Sequence, residues 1–194
     1  MPEAPTAVTT PDETLVALAR AGDRPAREEL FRRHWGVAYR VAYRLLGHEH
    51  DAHDAVQEGL LKANLHLDDF DGRSGFRTWL LKIVTNAALD SGRKRKRRPA
   101  LGLGSGDGDG NGPEPAREED PAHGLHRKDL RRALDAALDR LTPATRTTFV
   151  LFAEAGLSYK EISDALDVPI GTVMSRLHYA RHKLQSYLEG IEGL

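Results

Sequence analysis

Cysteine is absent from the chain. That excludes disulfides, thiolate metal sites and thiol redox switching in cis, and makes a reducing cytoplasm the natural setting. No apolar run approaches the roughly 20 residues that span a bilayer, and Met1 to Pro11 lacks the basic and apolar regions of a signal peptide. No nucleophile–base pair and no glycine-rich phosphate loop stands out, so catalysis and a bound cofactor are not expected. The N-terminal half shows neither βα alternation nor heptads, the usual marks of a sensory domain or a coiled-coil dimer face. What is present is a chain of 194 residues, 40% hydrophobic and 29% charged, which reads as a soluble globular protein of one large or two small domains. The net charge of -1 conceals an uneven distribution: residues 10–98 carry 17 basic and 13 acidic side chains, 99–126 one and six, and 127–194 ten and nine. Local clusters, not the total, therefore decide whether a polyanion is a partner.

The clearest local signal is Ser158 to Leu188. Ser158-Tyr-Lys-Glu161 has the S-x-x-E form of a capping box. Ile162, Ala165 and Leu166 give a short helix its apolar face, and Asp167-Val168-Pro169 stops it, since proline disfavours helical geometry in the preceding residue. Gly171-Thr172 is expected to open a second helix, with Thr172 able to cap it. Val173, Leu177, Ala180, Leu184 and Leu188 recur at spacings of three and four as one stripe. Two helices joined by a three- or four-residue turn form the helix-turn-helix pattern. From Ile170 to Leu188 there is no Asp or Glu, whereas Arg176, Arg181, Lys183, His178 and His182 are present. In this motif the start of the second helix faces base edges in the major groove. A helix that merely packs, with a solvated basic side, would share much of this pattern.

Elsewhere the periodicity is helical throughout. Residues 1–10 read as a frayed leader. Thr10 as cap and Pro11 at the first helical position start a helix with Leu15, Val16, Leu18 and Ala19 buried. Asp23 caps the next, from Pro25 to Leu46, whose apolar side is Leu30, Phe31, Trp35, Ala38, Val41, Ala42, Leu45 and Leu46, with Gly47 after its end. A third runs from about His50 to Leu67. His48, His50 and His53 stand among Glu49, Asp51 and Asp54, but a metal site needs ligands converging from separate elements, so no metal is expected. Asp68 to Ser74 reads as a loop, and Ser74 or Gly75 starts a helix through Asp90 that runs into six consecutive basic residues, Arg93 to Arg98. That run extends a helix already carrying cations and aromatics, which suits a polyanion and unstacked bases; core packing accounts for at least one of Phe76 and Trp79. Residues 99–126 are rich in Gly, Pro and acid and cannot bury a core, so a flexible linker about 30 Å long on average is expected. Periodicity resumes from Leu125 to Leu141, Thr142-Pro143 starts another helix, and Gly156 ends it. The expectation is an all-α protein of two small helical domains, 11–98 and 127–194, the second containing the helix-turn-helix, joined by the linker. Whether the two domains touch is left open.

Three stretches, Leu45-Leu-Gly47, Asp51-Ala-His-Asp54-Ala-Val-Gln-Glu58 and Phe70-Asp-Gly-Arg-Ser74-Gly-Phe-Arg-Thr-Trp79-Leu, resemble the first domain of the extracytoplasmic-function (ECF) sigma factors of the sigma-70 family. Leu141-Thr-Pro, Gly156-Leu-Ser-Tyr-Lys-Glu-Ile162 and Val168-Pro-Ile-Gly-Thr-Val-Met-Ser-Arg-Leu-His178 resemble the second. The resemblance implies a protein that binds core RNA polymerase and directs it to promoter DNA. By that resemblance Asp51, Asp54, Gln57, Glu58 and Leu61 dock on the clamp helices of the largest polymerase subunit, and the second domain meets the flap. Asp71, Arg73, Ser74, Phe76, Arg77, Trp79, Lys82, Asn86 and Arg93 fall in the part that opens and reads the −10 element, with Asn86 near the captured base. Lys160, Thr172, Val173, Ser175, Arg176, His178, Tyr179 and Arg181 fall in the part that reads the −35 element. The linker is longer and more acidic than usual for the family, where it threads toward the RNA exit path. A separate anti-sigma protein is implied, and with nothing after Leu194 a fused sensor is not expected. The alternative is a helix-turn-helix regulator that never binds core polymerase.

Overall fold

Side-chain caps from Asp23, Thr142 and Ser158 set where three of the helices begin. The computed structural model describes residues 10–97 and 133–189; the expectations for the leader, the linker and the stripe position Leu188 fall outside the described side chains. Helix α1 spans Asp12–Arg20 and α2 Arg24–Leu46. The Asp23 carboxylate accepts from the Ala26 amide at 2.9 Å, with Pro25 in the first turn of α2. Gly47 closes α2 at φ 72°, the left-handed geometry in which glycine has no Cβ to clash. Helix α3 is Glu49–Leu65, followed by a 3-10 turn, Leu67–Asp69, that buries Leu67. Helix α4, Phe76–Arg97, continues well past Asp90, so the basic run is helical as far as it is described. After the undescribed segment come a helical run 133–139 (α5), α6 Pro143–Ala153, α7 Tyr159–Leu166 and α8 Ile170–Glu189. Among the described residues there is no strand, and no helix is long and apolar enough to cross a membrane.

Two capping expectations are corrected. Pro11, not Thr10, sits at the cap of α1: its carbonyl accepts from the Leu15 amide at 3.1 Å, and no side chain caps the helix. Thr172 lies inside α8, because the Pro169 carbonyl already accepts from the amides of Thr172 (2.9 Å) and Val173 (3.3 Å) and starts the helix there. The stop between α7 and α8 is likewise sharper than proline alone would make it: Asp167 adopts a left-handed φ of 53°, a conformation that short polar residues tolerate.

Helices α1 to α4 pack around Leu30, Val41, Val56, Leu67, Leu80, Leu81 and Val84, all essentially inaccessible. Gly59 lets α3 approach α4 closely, for a Cβ there would lie 2.8 Å from Val84 Cγ2 and 2.9 Å from its Cα. Val37, Tyr39 and Tyr43 are buried as well, which widens the apolar face of α2 beyond the sequence-based stripe. The core does not stop at this group. Val150, Leu151, Ala155, Leu157, Ile162, Val173 and Leu177 of the C-terminal helices belong to the same contiguous cluster, while Ala137, Leu138, Leu141, Ala180 and Leu184 form a smaller one behind α8.

The two helical groups therefore touch, and polar contacts frame the seam. Arg44 Nε donates to Glu154 at 2.8 Å and the same guanidinium pairs with Asp135. Burial works against the Arg44 charge, but its hydrogen bond to Glu154 and the charges of Asp135 and Glu154 outweigh it and raise its pKa. Arg146 Nε returns a bond to the Arg44 carbonyl at 2.8 Å. Across the other end of the seam, Thr78 donates to Glu161 at 2.9 Å, Arg77 to the Ala155 carbonyl, and Lys82 to the Asp164 carbonyl at 3.3 Å.

Candidate nucleic-acid interface

Four surfaces hold the residues singled out by sequence. On α3, Asp54, Gln57, Glu58 and Leu61 share one side at helical spacing. Asp54 and Gln57 are exposed and Leu61 is 60% exposed. Glu58 is held by Lys62 at 2.6 Å, and Asp51, further round, by Arg95 at 2.5 Å. Leu65, one turn on from Leu61 and 70% exposed, extends the apolar strip; the sequence reading placed it nowhere. An exposed leucine pair bordered by carboxylates is suited to a protein partner with a basic, partly apolar groove.

The second surface is a cleft of about 680 Å³ between the N-terminal group and the α7–α8 turn. Asp71, Arg73, Ser74, Trp79 and Lys82 line one wall, and Asp164, Asp167 and Pro169 the other. The loop is set by its own chemistry: Asp71 accepts from the Arg73 amide at 3.1 Å and from its guanidinium, and both bonds hold the Asp71 carboxyl below the usual range. Arg20 ties the loop's base to α1 through the carbonyls of Asp68 (3.0 Å) and Phe70 (3.3 Å). Beneath it, Phe70, Phe76 and Trp79 pack ring to ring, centroids 5.2 to 5.9 Å apart.

Asn86 opens onto a third surface, a hollow of about 450 Å³ lined also by Lys62, His66, Trp79 and Ile83. Trp79 thus borders both the cleft and the hollow. Lys62 and His66 were missed because they come from the end of α3 and only the fold brings them to α4; Ile83, one turn from both Trp79 and Asn86 on α4, was legible from helical spacing. Arg93 stands apart from this set, paired with Asp90 and facing another groove beside Leu46 and Arg146.

The fourth surface is α8. Ser175, His178, Tyr179 and Arg181 are exposed and Thr172 and Arg176 half-buried. Arg181 lies 5.1 Å over the Phe152 ring and Lys183 5.7 Å over Tyr179. The preceding helix α7 is held by the full capping box: Glu161 N donates to Ser158 Oγ at 3.3 Å and Ser158 N to Glu161 at 2.9 Å. Bonds from the Ser158 hydroxyl and amide, then from Thr78, together with the Arg77 charge, keep the Glu161 carboxyl below its ordinary range. Lys160, exposed, lies in the first turn of the same helix.

Two expected contact residues are withdrawn on burial. Phe76 is 4% exposed, edge-on to Phe31 and Phe70, and Val173 is fully buried at the centre of the helix-turn-helix. Both are core residues that position the surface; neither can reach a base. Of the histidine cluster, His53 lies edge-on to Trp35 and Tyr39, and among the described residues no group of three or more His, Asp or Glu side chains is gathered as metal ligands.

Residues 30–98 match the family model of sigma-70 region 2, and 131–184 that of sigma-70 region 4. Over 164 residues the chain is 40% identical to the ECF RNA polymerase sigma factor SigE of Mycolicibacterium smegmatis, a match that covers 84% of this chain and 62% of that relative. It is 30% identical over 175 residues to the ECF RNA polymerase sigma factor SigW of Bacillus subtilis, covering 89% of this chain and 94% of that one. Among solved structures, CnrH in complex with the cytosolic domain of CnrY superposes with a TM-score of 0.69 at 28% identity, over 92% of this chain and 97% of that one. The sigma factor RpoE in complex with the anti-sigma factor NepR from Bartonella quintana gives 0.64 at 27%, over 84% and 96%.

Proposed function

This chain belongs to the ECF sigma factors of the sigma-70 family, and from that membership we propose that it binds core RNA polymerase and directs it to promoters, with no catalysis of its own. The observation that carries the reading is the coexistence of two unlike surfaces on separate helices: the exposed carboxylate, amide and leucine side of α3, and the acid-free basic side of α8. A regulator that binds duplex DNA alone needs only the second. The working division is 11–98 for the polymerase- and −10-binding domain, 99–126 for the linker and 127–194 for the −35-binding domain.

Asp54, Gln57, Glu58 and Leu61, with Asp51 beside them, dock on the polymerase clamp helices, where opposite charge steers the encounter and fixes register; the C-terminal group meets the flap. Asp71, Arg73 and Ser74 form the loop that opens the −10 element. Arg77, Trp79, Lys82 and Arg93 hold the separated strand, and the hollow beside Asn86 accepts one unstacked base, whose unstacking cost its contacts must repay. Arg77 must leave the Ala155 carbonyl and Lys82 the Asp164 carbonyl to do so. Thr172, Ser175, Arg176, His178, Tyr179 and Arg181, with Lys160 on α7, divide the −35 contacts between base edges and phosphates. A separate anti-sigma protein is the expected regulator, in the cytoplasm, by analogy with the partner in the RpoE–NepR complex.

The test is transcription in vitro with purified core polymerase and this chain, with transcript 5′ ends mapped. Specific starts preceded by a common pair of elements are expected. Core polymerase that gains no specific start, while the chain alone binds duplex tightly, would return the regulator reading.

A further inference from the structure

The reading side of α8 carries an apolar feature that its basic character does not explain. Val173, Leu177, Ala180 and Leu184, between 0% and 6% exposed, define the inward line of the helix. At about 100° per residue, Met174 stands roughly a quarter turn from that line. It is 53% exposed, and Ile170, one turn earlier on the same side, is 49% exposed. His178 continues the row at the next turn, also exposed. Large apolar side chains are thus held in solvent at the N-terminal end of the second helix of a helix-turn-helix, the end that meets base edges. The flanking surface bears no carboxylate from Ile170 to Leu188, so a polyanion is the occupant that its charge favours.

The major groove offers such side chains one apolar target, the C5-methyl group of thymine. We propose that Met174 reads a thymine methyl group in the −35 element and so sets part of this chain's promoter specificity. The inference rests on the −35 role proposed for α8. Met174 is unbranched and polarizable, and adapts to a methyl group without fixed geometry. It cannot hydrogen-bond a base strongly, so its preference rests on the methyl group itself. Removing one buried methyl is expected to weaken binding by a factor of about four. The neighbours Ser175 and Arg176 supply polar contacts that are blind to it.

The experiment uses holoenzyme assembled from core polymerase and the full chain, on a promoter mapped as above. Duplexes are compared in which every thymine of the −35 element is kept or replaced by deoxyuridine, which differs only in lacking the methyl group. Wild-type holoenzyme should bind the deoxyuridine duplex about four-fold more weakly for each methyl contacted. Met174→Ala should bind the two duplexes alike, Met174→Leu should keep the preference, and Arg176→Ala should weaken both without changing their ratio. Equal affinity of the wild type for both duplexes overturns the proposal, as does a −35 element without thymine, or a preference that survives Met174→Ala. A Met174→Ala chain that instead loses core polymerase while keeping the preference overturns it too, and assigns the side chain to a protein contact. Failure of wild-type holoenzyme to bind any promoter removes the underlying −35 reading, an outcome distinct from promoter binding with no methyl dependence.

Discussion

Ser158 and Glu161 satisfy each other's backbone amide at the start of α7, and the Glu161 carboxylate also receives the Thr78 hydroxyl from the other helical group. Ser158→Ala removes the cap, and urea denaturation should show a loss of about 0.5–2 kcal/mol. The pH dependence has a definite sign. The Glu161 carboxyl is held below its ordinary range in the folded chain, so its contribution is complete above the unfolded glutamate pKa and is lost as pH falls through the lowered value. Because Ser158 is the largest cause of the lowering, the stability gap between variant and wild type should narrow on acidification. A gap that is constant across that window would show that the carboxylate adds nothing. Two glycines give a contrast of opposite sign. Gly59→Ala forces α3 off α4 at a packing cost of about 1–3 kcal/mol, against a helix-propensity gain of roughly 1 kcal/mol. Gly171→Ala meets nothing within 4 Å in the first turn of α8. Thermal melts should therefore place Gly59→Ala below wild type and Gly171→Ala at or above it.

Helices α3 and α8 present different chemistry, and their variants should fail differently. Leu61→Ala removes an exposed side chain, so the fold should be unaffected while affinity for core polymerase falls on the order of ten-fold, the effect of losing roughly 1.5 kcal/mol of apolar burial at an interface. On α8, Arg176→Ala should lower affinity for every −35 duplex and, where the guanidinium meets phosphate, reduce the slope of log K against log salt by about one; an unchanged slope would assign it to a base edge. What the sequence made legible at this level follows from distance along the chain. Asp23, Thr142 and the Ser158–Glu161 box act on amides within three residues, and each is where its local pattern puts it. Thr172 misled because a neighbouring backbone group, the Pro169 carbonyl, had already begun α8. Phe76 and Val173 fell among candidate contacts because motif position does not report burial. Lys62 and His66 reach the Asn86 hollow only because the end of α3 packs against α4, whereas Ile83 shares a face of α4 with Trp79 and Asn86. Arg44 reads as one more exposed arginine of α2, yet its partners lie 110 and 91 residues away.

For the molecule as a whole, the shared core decides whether the two helical groups melt together. Leu151 of α6 is fully buried in the cluster that continues into α2 and α4, so Leu151→Ala should cost about 2–5 kcal/mol. Both tryptophans, Trp35 and Trp79, precede the linker. Trp79 borders the cleft and would sense opening as well as unfolding, so a Trp79→Phe background leaves Trp35, packed against His53 between α2 and α3, as a reporter of the N-terminal group. If burial across the seam couples the groups, Leu151→Ala lowers the denaturation midpoint seen by Trp35 fluorescence together with that seen by helical circular dichroism, although the deletion lies in the other group. Arg44→Ala strips Glu154 and Asp135 of the cation they share, and should separate the two signals, with the C-terminal helices lost first and Trp35 unmoved by Leu151→Ala in that second background. A Trp35 curve indifferent to Leu151→Ala with Arg44 intact would mean that the seam carries too little free energy to join the groups. The Arg77 and Lys82 bonds to the Ala155 and Asp164 carbonyls would then yield to a competing DNA strand with little resistance.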